Sequence, residues 1–215
     1  MPVVVTGADS PLGTLVLERL VGQGLDLRAT VDNPALVRTW VDRGVRTAVS
    51  ELLDTERFAA VLEGAHTVLH LRGAGDGSLG GRCLDGLDDV VAALPDSGVA
   101  RVVTLAPPGA AAELARLESA EVDTVVLHVG VVAAALPVAW RCAPIHPDDL
   151  ADALVAADRL RNLHGHLRVW AVGPSAVDGR RSLLRRASAY DLVGDLGAGL
   201  REVLGVQPRR LAGGR

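Results

Sequence analysis

Short apolar runs alternate with longer amphipathic segments along most of the chain, which is the pattern of repeated strand–helix units. The first unit lies at the N-terminal end, where Val3–Val5 has the β-branched density of a strand buried on both faces. Gly7 ends this strand in a turn, and Pro11 suits the first turn of a helix. Apolar residues then recur at helical spacing to about Gln23, so the pattern predicts a helix that packs one face on a sheet.

The same alternation continues through the rest of the chain. Further strands are predicted at 26–31, 45–49, 67–71, 99–105, 124–129 and 167–172, and further helices at 35–43, 55–63, 84–94, 110–118, 148–160, 179–188 and 196–204, with 189–193 as an alternative last strand. Strands and helices in this order indicate the α/β class with a parallel sheet. We expect one domain over residues 1–207, followed by a flexible tail at 208–215.

The first turn has features of a phosphate-binding loop. Free N–H groups and the positive end of the helix dipole face outward from such a turn and favour a phosphate. The dinucleotide fingerprint uses three glycines; here Gly7 and Gly13 fill the outer places and Ser10 the middle one, a partial match that ordinary strand–turn–helix units also show. Asp32 follows about twenty residues later, at the end of the second strand, where an acid accepts hydrogen bonds from the adenosine ribose and repels a 2′-phosphate. The pattern therefore predicts a dinucleotide and favours NAD over NADP.

The composition narrows the range of partners. The chain has 215 residues and a formal net charge of −4, and aromatic residues make up only 2%. With neither a broad basic surface nor stacking platforms, nucleic acid and anionic membranes are not expected as partners. No apolar run reaches the length of a membrane span and no secretory leader is recognisable, so a cytoplasmic location is predicted. The expected partner is a small-molecule substrate or none, with a homodimer as an open alternative.

Cysteine and histidine residues predict no metal site. Cys83 and Cys142 are isolated, which favours reduced thiols over a disulfide or a zinc site. His164 and His166 are two residues apart, but neither carboxylates nor cysteines accompany them, so a surface turn is favoured over a metal site.

The landmarks, taken in order, resemble a known family. TGADSPLG, TVDN, SELLDTERFAAVLEGAHTVLHLRG, RVVTLAPP, DTVVLHVG and IHPDDLADALVAA follow one another as in the short-chain dehydrogenase/reductase superfamily. The resemblance is to its extended and atypical branch, which includes NAD-dependent epimerase/dehydratase-like and NmrA-like proteins, and it covers roughly residues 2–173. It implies a Rossmann-type doubly wound parallel sheet in three α/β/α layers, with strand order 3-2-1-4-5-6 and a seventh strand.

The resemblance also implies which residues contact the cofactor. They are Gly7, Ala8, Ser10, Leu12 and Gly13 at the pyrophosphate, Asp32 and Asn33 at the adenosine ribose, Glu51 and Leu52 beside adenine, and Leu71, Arg72 and Gly73 near the nicotinamide ribose. Arg72 departs from the alanine that is usual in the family. Its guanidinium could pair with a phosphate, its bulk could obstruct the cofactor, or its side chain could point to solvent.

The catalytic groups of the family are missing. The family reaction uses a Tyr-x-x-x-Lys pair, in which the lysine lowers the pKa of the tyrosine. All 22 basic residues of this chain are arginine, and the only tyrosine, Tyr190, lies beyond the landmarks. Arginine does not titrate and cannot readily replace the lysine. The family serine would fall near Pro107, in a short connection without a hydroxyl, so tyrosine-dependent carbonyl chemistry is not expected.

His128 is the remaining candidate for catalysis. It would lie at the carboxyl end of the sixth strand, either as a general acid or base or as a buried, hydrogen-bonded histidine. Three functions stay open, because the fold alone does not choose among them. The protein could be an NAD-preferring oxidoreductase that transfers hydride directly, a non-catalytic NmrA-like sensor or interaction protein, or a scaffold that has lost cofactor binding.

Overall fold

The computed structural model describes residues 2–50, 55–74, 83–107, 110–129, 147–160, 163–171 and 184–187. The strands are β1 (Val3–Thr6), β2 (Leu27–Val31), β3 (Arg46–Val49), β4 (Thr67–His70), β5 (Arg101–Ala106), β6 (Asp123–Val129), β7 (His166–Ala171) and β8 (Leu184–Ala187). The helices are α1 (Pro11–Leu20), α2 (Val37–Val41), α3 (Thr55–Leu62), α4 (Leu87–Ala93), α5 (Ala111–Glu118) and α6 (Pro147–Asp158), and a 3-10 turn (Pro34–Leu36) precedes α2. The predicted alternation of strands and helices is confirmed over this part of the chain.

The strands of the described segments form one sheet, in the order β3-β2-β1-β4-β5-β6-β7-β8. The ladders from β3 to β7 are parallel, and only β8 runs antiparallel to its neighbour. This order confirms the Rossmann-type doubly wound sheet that the resemblance implied.

Helices cover both faces of the sheet, because successive residues of a strand point to opposite sides. Val3 and Val5 of β1 pack with the buried residues of α1 and α6, whereas Val4 packs with those of α3 and α4. Strands buried on both faces need apolar residues at every position, which explains the uninterrupted Val-rich runs in the sequence. The result is the three-layer α/β/α arrangement.

The order in which strands are added to the sheet reverses at β1: β2 and β3 lie on one side of it, and β4 and the later strands lie on the other. In open α/β sheets, ligands bind outside the carboxyl ends of the strands at such a reversal. The turns after β1, β2 and β4 meet at this place, so the fold brings together the loops that the sequence analysis selected. No helix in the described segments is long and apolar enough to cross a membrane.

The last strand differs from the sequence prediction. A helix was predicted over 179–188, but residues Leu184–Ala187 form β8 and pair with β7, with Arg185 opposite Trp170. The helix prediction rested on local composition, whereas strand pairing depends on a partner that is distant in the sequence. Without β8, the N–H and C=O groups along the outer side of β7 would form an open sheet edge. The helix predicted at 196–204 and the tail at 208–215 lie outside the described residues.

Candidate functional site

The turn between β1 and α1 leaves no room for side chains at its two glycines. Gly7 has φ +65°, and a Cβ there would lie 2.5 Å from the Cα of Arg72. A Cβ on Gly13 would lie 2.1 Å from the carbonyl oxygen of Gly7. The first glycine therefore brings the end of β1 against the end of β4, and the second brings α1 against the turn. Both outer positions of the partial fingerprint have a structural reason.

Ser10, at the middle position, caps α1. Its Oγ accepts a hydrogen bond from the backbone N–H of Gly13 at 2.9 Å and donates one to the carbonyl oxygen of Leu71 at 3.4 Å. A serine cap satisfies one of the N–H groups that a helix start leaves without a partner. The hydroxyl therefore holds the turn together and ties it to the end of β4. Ala8 and Leu12, on either side of it, are buried.

A carboxylate that the sequence analysis missed fixes the end of β2. Asp9 Oδ2 accepts hydrogen bonds from the backbone N–H groups of Asp32 and Asn33, both at 2.9 Å. Asn33 in turn caps the 3-10 turn, because its Oδ1 accepts from the N–H of Ala35 at 3.0 Å. A lone aspartate in a turn carries no sequence signal for this role, since its partners lie 23 and 24 residues away.

Arg72 spans the space between the ends of β4 and β2. Its Nε lies 3.3 Å from Asp32 Oδ1, and its Nη1 lies 4.0 Å from Asp89 Oδ2 at the start of α4. The side chain is 31% exposed. The solvent-facing alternative is therefore wrong, because Arg72 pairs with the acid predicted to hold the adenosine ribose.

A cavity of about 310 Å³ lies beside this ion pair. Its lining is mixed polar and apolar and comes from the strand ends, α3 and α4: Thr6, Thr30, Ser50, Thr55, Phe58, His70, Arg72, Gly86, Asp89 and Val90. The cavity opens at the point where β1, β2 and β4 end, which is where ligands bind in this class of sheet.

His70 is buried in the wall of this cavity, with 1% of its surface exposed. Its Nδ1 lies 2.8 Å from Thr6 Oγ1, and Thr6 Oγ1 also accepts the backbone N–H of Leu71 at 3.3 Å. Thr6 Oγ1 therefore bridges the imidazole of His70 and the backbone of the next residue. Burial, and secondarily the charge of Arg72, lowers the pKa of His70 to about 4. The ring is neutral at physiological pH.

His128 lies where the sequence placed it, at the carboxyl end of β6, and it is 7% exposed. Burial is the largest cause that lowers its pKa, followed by the charge of Arg168. Arg168 itself forms a bidentate pair with Glu118, with both N···O distances at 2.7 Å. β4 and β5 lie between β6 and the turn after β1. These surroundings favour the buried alternative, and a role in proton transfer stays a prediction.

The structure thus joins most of the predicted cofactor residues into one site. The turn 7–13, Asp32, Asn33 and the segment 71–73 are neighbours at the reversal of the sheet, whereas Glu51 and Leu52 lie outside the described residues. The connection from β5 to α5 spans only residues 107–110, as the sequence predicted. Cys83 is a buried thiol, and burial raises its pKa to about 11.

Comparison with known proteins identifies structures of the same fold. Among solved structures, a nucleoside-diphosphate-sugar epimerase from Staphylococcus aureus matches with a TM-score of 0.61 and 18% identity, over 97% of this chain and 80% of that one. MoeE5 in complex with UDP-glucose and NAD matches with a TM-score of 0.63 and 17% identity, over 97% and 94% of the two chains. A triphenylmethane reductase from Citrobacter sp. matches with a TM-score of 0.60 and 17% identity, over 97% and 79%.

At this level of identity the three structures show the fold alone. No curated protein matches the chain by sequence. The profile of the NAD(P)H-binding family, however, matches residues 7–130, which is more than half of the chain and contains the turn, Asp32 and Arg72. The chain therefore belongs to the NAD(P)H-binding family, and its fold is the one that the resemblance to the short-chain dehydrogenase/reductase superfamily implied.

Proposed function

We propose that this protein binds NAD(H) in preference to NADP(H), with the pyrophosphate at the turn 7–13 and the adenosine ribose at Asp32. The observation that carries the proposal is the contact between the turn and the end of β2. Neither Gly7 nor Gly13 can carry a Cβ, and Asp9 of the same turn holds the backbone of Asp32. A carboxylate at this place accepts hydrogen bonds from ribose hydroxyls and repels an added phosphate.

If the protein is an oxidoreductase, it transfers hydride without a tyrosine–lysine pair. The nicotinamide would supply the hydride, and the chain would contribute shape, exclusion of water and electrostatics. His70 is buried in the wall of the cavity and neutral at physiological pH, so it carries no charge there. A proton needed by the substrate would come from water or from His128.

The binding proposal is tested with a pair of variants that break one ion pair from opposite sides. We expect Asp32→Ala to weaken NADH binding roughly 10- to 100-fold, since a hydrogen bond to a charged group contributes about 1.5–3 kcal/mol. Arg72→Ala should leave NADH affinity unchanged or raise it a few-fold, because the partly exposed pair with Asp32 is worth at most about 1 kcal/mol and competes with the ribose.

Dissociation constants for both variants and the wild type are measured from nicotinamide fluorescence. If the two variants lose affinity equally, the ion pair itself, and not an Asp32–ribose contact, supports the site. If the folded wild type binds neither NADH nor NADPH, the protein is a scaffold without a cofactor, and the proposal is wrong.

A non-catalytic sensor is the second candidate, and the composition favours it, because a chain without lysine lacks the usual catalytic pair. Mixing the NADH-bound protein with a panel of quinones, flavins and aldehydes separates the two. Oxidation of NADH above the protein-free rate supports an oxidoreductase, and binding without oxidation across the panel supports a sensor.

A further inference from the structure

The carboxylate of Asp9 occupies a position where backbone N–H groups could otherwise bind an anion from solution. Its Oδ2 receives two consecutive backbone N–H groups, those of Asp32 and Asn33, both at 2.9 Å. Converging backbone N–H groups of this kind are how loops bind phosphates and other anions. Such bonds to a carboxylate are stronger than bonds between neutral groups. The backbone N–H groups at the end of β2 are therefore already bound to an anionic group, the carboxylate of Asp9.

The next amide of the same segment is also engaged. The N–H of Ala35 donates to Asn33 Oδ1 at 3.0 Å. The amides of residues 32, 33 and 35 thus all donate to side-chain oxygens of the protein. A phosphate arriving at the end of β2 would have to displace one of these bonds to obtain a backbone donor.

The charged groups near the end of β2 also disfavour a phosphate. Arg72 is the cation that a phosphate at this place would use, but it lies between two carboxylates, Asp32 at 3.3 Å and Asp89 at 4.0 Å. Asp9 adds a third carboxylate at the end of β2, where it contacts the backbone of residues 32 and 33. The adenosine end of the site is therefore net negative in spite of Arg72, and it disfavours an added phosphate.

We propose that Asp9 is a specificity-determining residue that excludes the 2′-phosphate of NADP(H). The inference rests on the proposed function, in which the adenosine ribose lies at Asp32. Asp9 acts in two ways: it withholds the backbone donors of residues 32 and 33, and it adds a negative charge beside them. The ribose of NAD(H) needs only the carboxylate acceptor of Asp32, so Asp9 leaves its binding intact.

Two substitutions separate these two effects. Asp9→Ala removes the charge and frees both N–H groups, whereas Asp9→Asn removes the charge but keeps an oxygen that can accept from them. Asp42→Ala is the matched control, because Asp42 is an exposed carboxylate on the end of α2 that pairs with Arg38, one helical turn away. Each variant loses one negative charge from the whole protein. Dissociation constants for NADH and NADPH are measured by nicotinamide fluorescence, and the thermal midpoint reports folding.

We expect the wild type to prefer NADH. Asp9→Ala should shift the ratio of the two dissociation constants toward NADPH by about tenfold or more, the size of one hydrogen bond to a charged group. Asp9→Asn should shift it less, by about threefold, since it keeps the amides occupied and changes only the charge. Asp42→Ala should leave the wild-type ratio in place.

Several results would overturn the inference. A wild type that binds NADPH as tightly as NADH, or a folded Asp9→Ala protein with the wild-type ratio, leaves Asp9 without this role while NADH binding still stands. An equal shift in the Asp42→Ala control would mean that overall charge, and not the contact with residues 32 and 33, sets the preference. Absence of NADH binding in the folded wild type overturns the proposed function instead, and the inference with it.

Discussion

Gly13→Ala is expected to lower the free energy of unfolding by about 3 kcal/mol and to abolish NADH binding. The new methyl group would lie 2.1 Å from the carbonyl oxygen of Gly7 and 2.9 Å from its carbonyl carbon. Both are backbone atoms of the tight turn, so α1 would have to move away from the end of β1. Moving the helix also separates its first turn from the pyrophosphate position.

Helix propensity and steric contact have opposite effects on stability at Gly13. Gly13 lies within α1 and is not in the left-handed region, and alanine at an ordinary helical position is better than glycine by about 1 kcal/mol. Helix propensity alone therefore predicts stabilisation, whereas the contact with Gly7 predicts destabilisation. Urea unfolding of wild type and variant decides between them.

Gly24→Ala is the control for this experiment. Gly24 has φ +71° with nothing within 4 Å of an added Cβ. Alanine there should lose only about 1–2 kcal/mol through backbone strain and should keep NADH affinity. If Gly13→Ala is as stable as the wild type, or more so, α1 does not approach the turn as closely as described.

A second large effect should appear in the pH dependence of stability. Burial lowers the pKa of His70 from 6.5 to about 4 in the folded protein. Above pH 6.5 the ring is neutral in both states, and its contribution is fully present. As the pH falls below 6.5 the unfolded chain takes up the proton first, so stability is lost until the folded ring also titrates near pH 4. The total from this residue is about 3 kcal/mol, at 1.36 kcal/mol per pKa unit.

The measurement compares unfolding free energies at several pH values for the wild type, His70→Asn and His164→Asn. His70→Asn starts less stable at pH 8, because asparagine cannot reproduce both the volume of the ring and its bond to Thr6. Its stability should nevertheless fall less than that of the wild type between pH 6.5 and pH 4. His164 is exposed, and its replacement should keep the wild-type slope. Parallel curves for wild type and His70→Asn would show that the ring is not buried as a neutral group.

A neutral His70 also bears on function. The buried ring carries no positive charge at physiological pH, so it adds no electrostatic attraction for a phosphate. The charge of the site is then set by Arg72 and the carboxylates around it.

The sequence by itself determined the order of the elements, because strand and helix periodicities are local properties of the chain. It also determined the two glycines of the turn and Asp32, since these residue types have specific backbone or hydrogen-bonding roles at fixed spacing. The absence of lysine and the position of the single tyrosine, Tyr190, predict from the sequence alone that the Tyr-x-x-x-Lys chemistry of the superfamily is not used.

Only the tertiary structure decided how these residues are used. The parallel register places His70 of β4 beside Thr6 of β1, 64 residues away, and brings Arg72 to Asp32 across two strand ends. No periodicity records such pairs, because they arise from the order of the strands in the sheet. The bond between Asp9 and the backbone at the end of β2 has the same origin. β8 also depends on the folded sheet, because its partner β7 is in place only once the sheet has formed. The local pattern therefore predicted the turn and the acid of a dinucleotide site, and the strand order determined which charged groups lie beside them.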